Sequence, residues 1–251
     1  MTSGSARWSD LGTRLISAVV LAAVSAAAIW FAGPIFLLYV AVLAVAVTWE
    51  QSRMFDRSPY AAPILASIVM VLGVGMPDSA PALVAASALV FGASAKQDRI
   101  LAGLSNALVL FGALCFIYLA GDAGLMTLLW LIGIVVLSDL GGYFGGRLIG
   151  GPKLWPAVSP KKTWSGTLTG WAAAALFTLV FPGIHAHGPW LILAAVILSA
   201  ASQAGDLFES HVKRKRGIKD SSNLIPGHGG VWDRFDGMLA ASIAAWIVAG
   251  H

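Results

Sequence analysis

The sequence predicts an all-α protein: a polytopic integral membrane protein of about nine transmembrane helices, with the N-terminus inside and the C-terminus outside. Of its 251 residues, 58% are hydrophobic and only 11% are charged, and the mean hydropathy is +0.80. A soluble domain carries about 25% charged residues, so too little polar material is present here to cover a water-facing surface. The apolar stretches lack the two-residue alternation of a membrane-spanning strand, which favours helices. An ordinary soluble enzyme is therefore excluded.

Nine apolar stretches are candidates for these helices, separated by turn-forming pairs such as Gly33-Pro34. A helix needs about 20 apolar residues to cross the hydrocarbon layer, and several stretches, above all the third and fourth, are shorter. The stretches are residues 11–31, 34–49, 61–75, 81–95, 101–120, 125–140, 164–181, 190–205 and 235–250. Residues 1–32 also fit a cleaved signal peptide, but their apolar run is longer than a typical signal core, which favours a first span.

The basic residues support this count and set the orientation. With the N-terminus inside, all 16 Lys and Arg residues fall at the N-terminus, at the mouth of the first span, or in the loops near 50–60, 96–100, 141–163 and 206–234. The positive-inside rule makes these segments cytoplasmic, whereas the predicted outer loops carry Asp78 and Asp122 but no Lys or Arg. Topology thus explains the net charge of +4. Because no aromatic-basic motif occurs, we expect no nucleic-acid partner.

Cysteine and histidine offer little chemistry in this chain. The single cysteine, Cys115, excludes an intramolecular disulfide, and its apolar setting indicates a small buried hydrophobic residue. His185 and His187 lie in a predicted outer loop and are expected to be inert.

Polar residues concentrate in the second half of the chain, where the first of four clusters follows the sixth span. Asp139 ends this span, and glycines stand at positions 141, 142, 145 and 146. Glycines allow a backbone or a ligand to approach closely. The cluster is therefore either part of a site or a helix-packing seam with a solvated Asp at its end.

The second cluster is Ser159-Pro160-Lys161-Lys162-Thr163-Trp164. Ser159 as N-cap and Pro160 behind it predict a helix that begins here and continues into the seventh span. Lysines in a first helical turn oppose the helix dipole. Their presence is explained if an anion binds there, held by backbone N–H groups and the two ammoniums. The alternative is that Lys161 and Lys162 only set the topology.

The third cluster continues the eighth span. Asp206, Glu209 or Ser210, and Lys213 recur at intervals of three, four and seven residues, which places them on one helix face. An acid at the end of an apolar span is costly and suggests a function, although an ion pair of the Asp206–Lys213 type is the simpler alternative.

The fourth cluster precedes and opens the ninth span. Pro226-Gly-His228-Gly-Gly predicts a turn rich in exposed N–H groups that could cradle phosphate oxygens, and Asp233 and Asp236 share a helix face. Between two glycines, His228 is expected to bond a phosphate or a loop carbonyl. Carboxylates among basic residues, without paired His or Cys, favour a hard cation such as Mg²⁺ on phosphates.

These four clusters divide the chain in two. We expect residues 1–137 to be helices for packing and anchoring. Residues 138–251 are then the catalytic transmembrane half, with a cytoplasmic site for a nucleotide and a metal ion.

The fourth cluster also carries a long and specific resemblance. Ser210-x-Val212-Lys213-Arg214-x4-Lys219-Asp220-x-Ser222-x2-Ile225-Pro226-x-His228-Gly229-Gly230-Val231-x-Asp233-Arg234-Phe235-Asp236 resembles the signature of the phosphatidate cytidylyltransferase (CDP-diacylglycerol synthase) family. The first and second clusters, and Ser202-Gln203-x-Gly205-Asp206, are similar to upstream motifs of that family. The resemblance covers roughly residues 138–240. Ser165 departs from it, since many members carry Glu at that position.

The resemblance implies the reaction CTP + phosphatidate → CDP-diacylglycerol + pyrophosphate, with Mg²⁺ and a second cation such as K⁺. It also implies a homodimer among the lipids of the inner membrane, with its site open to the cytoplasm. The implied catalytic residues are Asp206, Lys213, Asp233 and Asp236, of which the three aspartates are metal ligands. For that reaction, we expect the substrate-binding residues to be Ser159, Lys161, Lys162, Thr163, Arg214, Lys219, His228, Asp139 and Asp220.

Other functions are weaker matches to the residues. Asp233-x2-Asp236-Gly237-x2-Ala240 is similar to the opening of the CDP-alcohol phosphotransferase motif, but Ala241 stands where that motif needs Arg. A CTP-dependent polyprenol kinase would transfer the γ-phosphoryl group and release CDP. A transporter would need its acids within the spans along a path, whereas here they gather at one predicted face.

Overall fold

The computed structural model describes residues 3–56, 58, 60–182 and 188–250, with side chains described from residue 12 onward. The protein is 79% helical, which agrees with the predicted all-α membrane class. Arg57 and the two histidines expected to be inert, His185 and His187, lie outside the described residues.

Nine α-helices lie within these ranges, in the order of the predicted spans. They are α1 (Ser3–Phe31), α2 (Gly33–Met54), α3 (Ala61–Gly75), α4 (Ala80–Ala93), α5 (Arg99–Asp122), α6 (Gly124–Leu148), α7 (Trp164–Val180), α8 (Trp190–Lys215) and α9 (Trp232–Val248), with a short 3₁₀ turn at Pro77–Ser79 before α4. By length and composition, α1, α2, α5, α6 and α8 could each cross a membrane. The number of spans and the N-in, C-out orientation stay predictions.

Helix α5 is the centre of the bundle and packs against α2, α4 and α9. In its most apolar window 67% of the residues are buried, against 6% for α1, which therefore lies at the periphery. Leu110, Leu114 and Cys115 of α5 are completely enclosed. The interpretation of Cys115 as a small buried hydrophobic residue is confirmed.

The predicted site residues gather at one end of the bundle, called here the loop end, where α2, α4, α6 and α8 finish and α5, α7 and α9 begin. Arg216, just after α8, ties this end together. Its guanidinium lies 3.1 Å from Asp56 Oδ2 and 3.6 Å from Asp98 Oδ2, and its Nε donates to the Met54 carbonyl at 2.8 Å. Asp56 and Asp98 have φ of 52° and 49°, a conformation that residues other than glycine rarely adopt. Their contacts with Arg216 help to offset that cost.

The predicted start of α7 at Ser159 is wrong. Residues Ser159–Thr163 form a strand, β2, which pairs antiparallel with β1 (Lys153–Trp155). The helix begins at Trp164, and its N-cap is Thr163, whose Oγ1 accepts the N–H of Gly166 at 3.1 Å. Pairing with β1 extends the backbone before Thr163, so Pro160 lies in the hairpin instead of a first helical turn.

The glycines after Asp139 form a packing seam, which was one of the two interpretations of the first cluster. Helix α6 continues to Leu148, about two turns beyond the predicted end of the sixth span. A Cβ atom at Gly145 would overlap Thr169 of α7, and one at Gly141 would lie 2.9 Å from the Thr169 carbonyl. The glycines thus bring α6 and α7 into backbone contact.

Candidate active site

Three carboxylates come together where α8 and α9 cross at the loop end. One oxygen of each of Asp206, Glu209 and Asp236 lies within 4.8 Å of the others. Glu209 is 1% exposed, and its Oε1 is buried without a hydrogen-bond partner in the described part of the chain. An all-oxygen donor set with an unsatisfied buried oxygen fits a hard cation such as Mg²⁺.

Glycine on each helix makes this meeting of carboxylates possible. A Cβ atom at Gly205 of α8 would lie 2.6 Å from the Asp236 carbonyl, and one at Gly237 of α9 would lie 2.5 Å from Ser202 Oγ. Only residues without a Cβ allow such an approach of two helix backbones. Asp206 and Asp236 are the sequence neighbours of these glycines, so the close contact sets the distance between their carboxylates.

Lys213 joins this acidic group to Asp233. Its Nζ lies 2.5 Å from Glu209 Oε2, one helical turn away, and 2.5 Å from Asp233 Oδ1 at the start of α9. Lys213 is only 8% exposed, so a single ammonium compensates two carboxylates in a largely buried setting. The predicted shared face of Asp206, Glu209 and Lys213 on one helix is confirmed. The Asp206–Lys213 pair is absent from the described contacts, because Asp206 pairs with Lys162 instead.

Asp233 holds a loop: it shares Lys213 with Glu209 but is not one of the three carboxylates whose oxygens lie within 4.8 Å of one another. Its Oδ2 accepts hydrogen bonds from the N–H groups of Ser221 at 2.9 Å and Gly230 at 2.7 Å, and Ser221 Oγ lies 3.0 Å away. The sequence predicted Asp206, Asp233 and Asp236 as the metal ligands, whereas the structure groups Glu209 with Asp206 and Asp236. The signal for Glu209 was its position three residues after Asp206, on the same helix face.

Two N–H groups of the Pro226–Gly230 turn, predicted as a phosphate cradle, are bonded inside the protein. The N–H of His228 donates to the Ile225 carbonyl, and that of Gly230 donates to Asp233. The next two N–H groups along the chain donate to Glu50 of α2. Because these four donors are used inside the protein, they are not available to phosphate oxygens in this conformation. The His228 side chain lies 2.8 Å from Ser17 Oγ of α1, through its Nδ1.

A cavity of about 420 Å³, called here the polar cavity because charged side chains are part of its wall, opens beside the acidic group. Lys162 Nζ lies 2.6 Å from Asp206 Oδ2 and forms one wall. The charged and amide side chains that line the cavity are Asp139, Arg147, Lys161, Lys162, Gln203 and Asp206. Three cations around one cavity provide an environment for a polyanion, and Asp206 of the acidic group lines the same cavity.

An apolar groove of about 370 Å³ reaches the same region from the side of α1. Leu21, Phe36 and Met238 are among its apolar walls, whereas His228 and Arg234 provide polar groups. Asp139 lines both this groove and the polar cavity. A ligand with an apolar body and a charged head could therefore lie in the groove and present its head to the polar cavity.

The other predicted site residues do not belong to the acidic group, although Thr163 lines the polar cavity. Thr163 caps α7, and Arg214 Nη1 donates to the Ile218 carbonyl at 3.2 Å. Ser159 is in the hairpin, and Lys219 is exposed. Asp220, also exposed, lines a separate cavity of about 440 Å³ beside Trp49 and Arg53.

Ser165, the departure from the family pattern, has a structural role. Its Oγ donates to the Gly150 carbonyl at 2.5 Å and lies 3.0 Å from Thr163 Oγ1. These contacts fasten the first turn of α7 to the base of the β1–β2 hairpin, which carries Lys161 and Lys162.

Comparison with known proteins shows which family the sequence resembles. A model of the cytidylyltransferase family matches residues 12–250 of the chain. The chain is 37% identical to a phosphatidate cytidylyltransferase of Brucella suis biovar 1, over 95% of this chain and 93% of that protein. It is also 42% identical to a phosphatidate cytidylyltransferase of Staphylococcus epidermidis over 49% of each chain. A third relative of that name, from Mycobacterium bovis, is 44% identical over 45% of this chain and 38% of its own.

Lys213→Met tests the compensation of the buried carboxylates. Removal of one partner from a buried ion pair leaves uncompensated charge, so we expect the free energy of unfolding to fall by ~3–5 kcal/mol, seen as a lower thermal midpoint in detergent. Adding Glu209→Gln removes one of these charges and should recover part of the loss. Lys219→Met, at an exposed position, is the control. A wild-type midpoint for Lys213→Met would contradict the proposed compensation.

Proposed function

Because this chain belongs to the cytidylyltransferase family and is a CTP-using nucleotidyltransferase, we propose that it converts CTP and phosphatidate to CDP-diacylglycerol and pyrophosphate. The observation that carries the proposal is the junction at Asp139 of a cation-lined polar cavity and an apolar groove. A reaction between a water-soluble triphosphate and a membrane lipid needs such a junction, because the triphosphate arrives from water and the lipid from the bilayer.

We assign the metal site to Asp206, Glu209 and Asp236. Their oxygen ligands and the unpartnered Glu209 Oε1 suit Mg²⁺, which when bound would neutralise charge on the phosphates. Glu209 thus takes the place that the resemblance implies for Asp233. Asp233 and Lys213 become the pair that holds the loop before α9 against α8. The resemblance alone supports a second cation such as K⁺.

The cations of the polar cavity would bind and orient the phosphates. Lys161, Lys162 and Arg147 surround the cavity, and Lys162 can exchange Asp206 for a phosphate oxygen. The lipid phosphate is already an anion, so its attack requires no general base. Its oxygen bonds to the α-phosphorus of CTP, the bond from that phosphorus to the bridging oxygen breaks, and the electron pair leaves on pyrophosphate. The main barrier is the approach of two anions, which positive charge and fixed orientation reduce.

The apolar groove would hold part of the lipid. Its wall on α1 is largely exposed to the surroundings of the bundle, since 6% of the apolar window of α1 is buried. Acyl chains could therefore enter from the bilayer beside α1 while Arg234 and His228 meet the phosphate.

We further propose that the loop end faces the cytoplasm of an inner-membrane protein. The described basic side chains from Arg14 to Arg234 and the positive-inside rule support this orientation. A homodimer is a proposal that rests on the resemblance alone.

A position-labelled CTP assay tests the reaction. With purified protein, phosphatidate and Mg²⁺, label at the α-phosphorus should enter the lipid fraction, and label at the γ-phosphorus should appear in pyrophosphate in a 1:1 ratio to lipid product. A lipid kinase would instead put the γ-label into the lipid and release CDP. Absence of both labels from the lipid, with ion flux through liposomes, would favour a transporter.

The three proposed ligands predict a common change in metal dependence. Asp206→Asn, Glu209→Gln and Asp236→Asn should each raise the Mg²⁺ concentration for half-maximal activity by at least about tenfold, because each removes a charged oxygen ligand. Asp122→Asn, an exposed change at the end of α5, is the control. Unaltered Mg²⁺ dependence in Glu209→Gln would return the third ligand to Asp233.

Filling the groove should affect the lipid and not the nucleotide. Leu21→Trp places a larger ring in the groove, so we expect the KM for phosphatidate in mixed micelles to rise at least about fivefold, the scale of overpacking a site. The KM for CTP should stay unchanged. Val20→Trp, on the neighbouring exposed face, is the matched control. Equal KM values for Leu21→Trp and wild type would remove the groove from lipid binding.

A further inference from the structure

Glu50 is a buried carboxylate outside the half of the chain that was expected to carry the chemistry. It lies in the last turn of α2 and is completely enclosed. Its Oε1 accepts hydrogen bonds from Ser222 Oγ at 2.6 Å and the Val231 N–H at 2.8 Å. Its Oε2 accepts the Trp232 N–H at 2.9 Å and lies 3.0 Å from Ser221 Oγ.

The two backbone contacts make Glu50 the cap of another helix. Val231 is the N-cap residue of α9 and Trp232 is its first helical residue. The N-terminus of a helix leaves N–H groups without intrahelical partners and carries partial positive charge, so a carboxylate there satisfies both requirements. Here the carboxylate is supplied by α2, about 180 residues earlier in the chain.

The same carboxylate fixes the loop that leads into α9. Ser221 Oγ lies 3.0 Å from both Glu50 Oε2 and Asp233 Oδ2, so one hydroxyl lies between the two acids. A Cβ atom at Gly230 would collide with Ser221 and would lie 2.5 Å from Glu50 Oε1. The loop can close around Glu50 only because position 230 has no side chain.

We infer that Glu50 is a positioning residue for the active site: by capping α9 and anchoring the preceding loop, it sets where α9 presents Asp236 to Asp206 and Glu209. The inference rests on the proposed function, since it assumes that these three residues hold Mg²⁺. Glu50 does not itself belong to this group of carboxylates.

Glu50→Gln is the sharpest variant because it keeps the size of the side chain. In either orientation of the amide, its NH₂ faces a backbone donor, Val231 N–H or Trp232 N–H, in place of an accepting oxygen. Glu50→Asp keeps the charge but withdraws it by one methylene, and it serves if Glu50→Gln does not fold. Gln51→Leu is the matched control, since Gln51 is equally buried and bonds the Ser105 carbonyl of α5 instead of the loop.

Two measurements separate positioning from general destabilisation. We expect the Mg²⁺ concentration for half-maximal activity to rise about tenfold in Glu50→Gln and less in Glu50→Asp. A smaller folded fraction would lower the maximal rate without changing this concentration. We also expect trypsin to cut the purified protein after Lys219, in the exposed loop, about tenfold faster in Glu50→Gln. Gln51→Leu should change neither quantity.

Each outcome decides the inference. Wild-type Mg²⁺ dependence in both Glu50 variants, or the same shift in Gln51→Leu, would overturn the positioning role. Wild-type cleavage after Lys219 in Glu50→Gln would overturn the anchoring of the loop. If the wild-type protein forms no CDP-diacylglycerol, the proposed function fails and the positioning role fails with it, whereas the cleavage rates still decide whether Glu50 anchors the loop.

Discussion

The two ion pairs of Lys213 stabilise the carboxylates that meet where the apolar helices α8 and α9 cross. Carboxylates at the end of a membrane helix are costly to desolvate, and three of them within 4.8 Å of one another also repel. Lys213 offsets part of this cost from within the protein through Glu209, and its second contact, with Asp233, links that compensation to the loop before α9. The residual negative charge is what a divalent cation would neutralise. In the proposed site, metal binding and the fold of the loop would thus be coupled through one ammonium.

The helical fold and the order of its helices could be predicted from the sequence, because both follow from the lengths of the apolar stretches and from the positions of the turns between them. The nine helices of the described residues occur in the predicted order, and the face shared by Asp206, Glu209 and Lys213 follows from helical periodicity alone. The predicted helix start at Ser159 failed for a non-local reason. Ser-Pro is a good local cap, but pairing with Lys153–Trp155 extends that segment, and the cap moves to Thr163. Strand pairing with β1, which the sequence pattern did not reveal, overrode the local preference for a helix start.

The candidate site shows the same limit in its chemistry. Asp233 and Glu209 could not be told apart by spacing, since both lie at a helical interval from another acid. What separates them is the tertiary environment: both contact Lys213, but Asp233 also accepts two loop N–H groups, whereas Glu209 keeps one buried oxygen without a hydrogen-bond partner in the described part of the chain. Glu50 was beyond prediction for a related reason. Its partners Val231 and Trp232 are backbone groups far along the chain, and backbone donors leave no residue-type signal in a sequence.

The predicted division of the chain into an anchoring half and a catalytic half is less sharp than expected, because Glu50 of the first half bonds Val231 and Trp232 of the second. The N–H groups from Gly230 to Trp232 are bound by Asp233 and Glu50, so this part of the chain stabilises the start of α9. In the proposed function, phosphates are bound by flexible ammoniums such as that of Lys162, which has a carboxylate partner in Asp206. A point charge that can exchange one anion for another suits a site that must accept one polyphosphate and release a different one. Carboxylates that bind backbone N–H groups, one of them on α2, hold the loop before α9 in place, whereas the lysine side chains keep their freedom to move. The first half of the chain therefore contributes to the geometry of the site through the cap on α9.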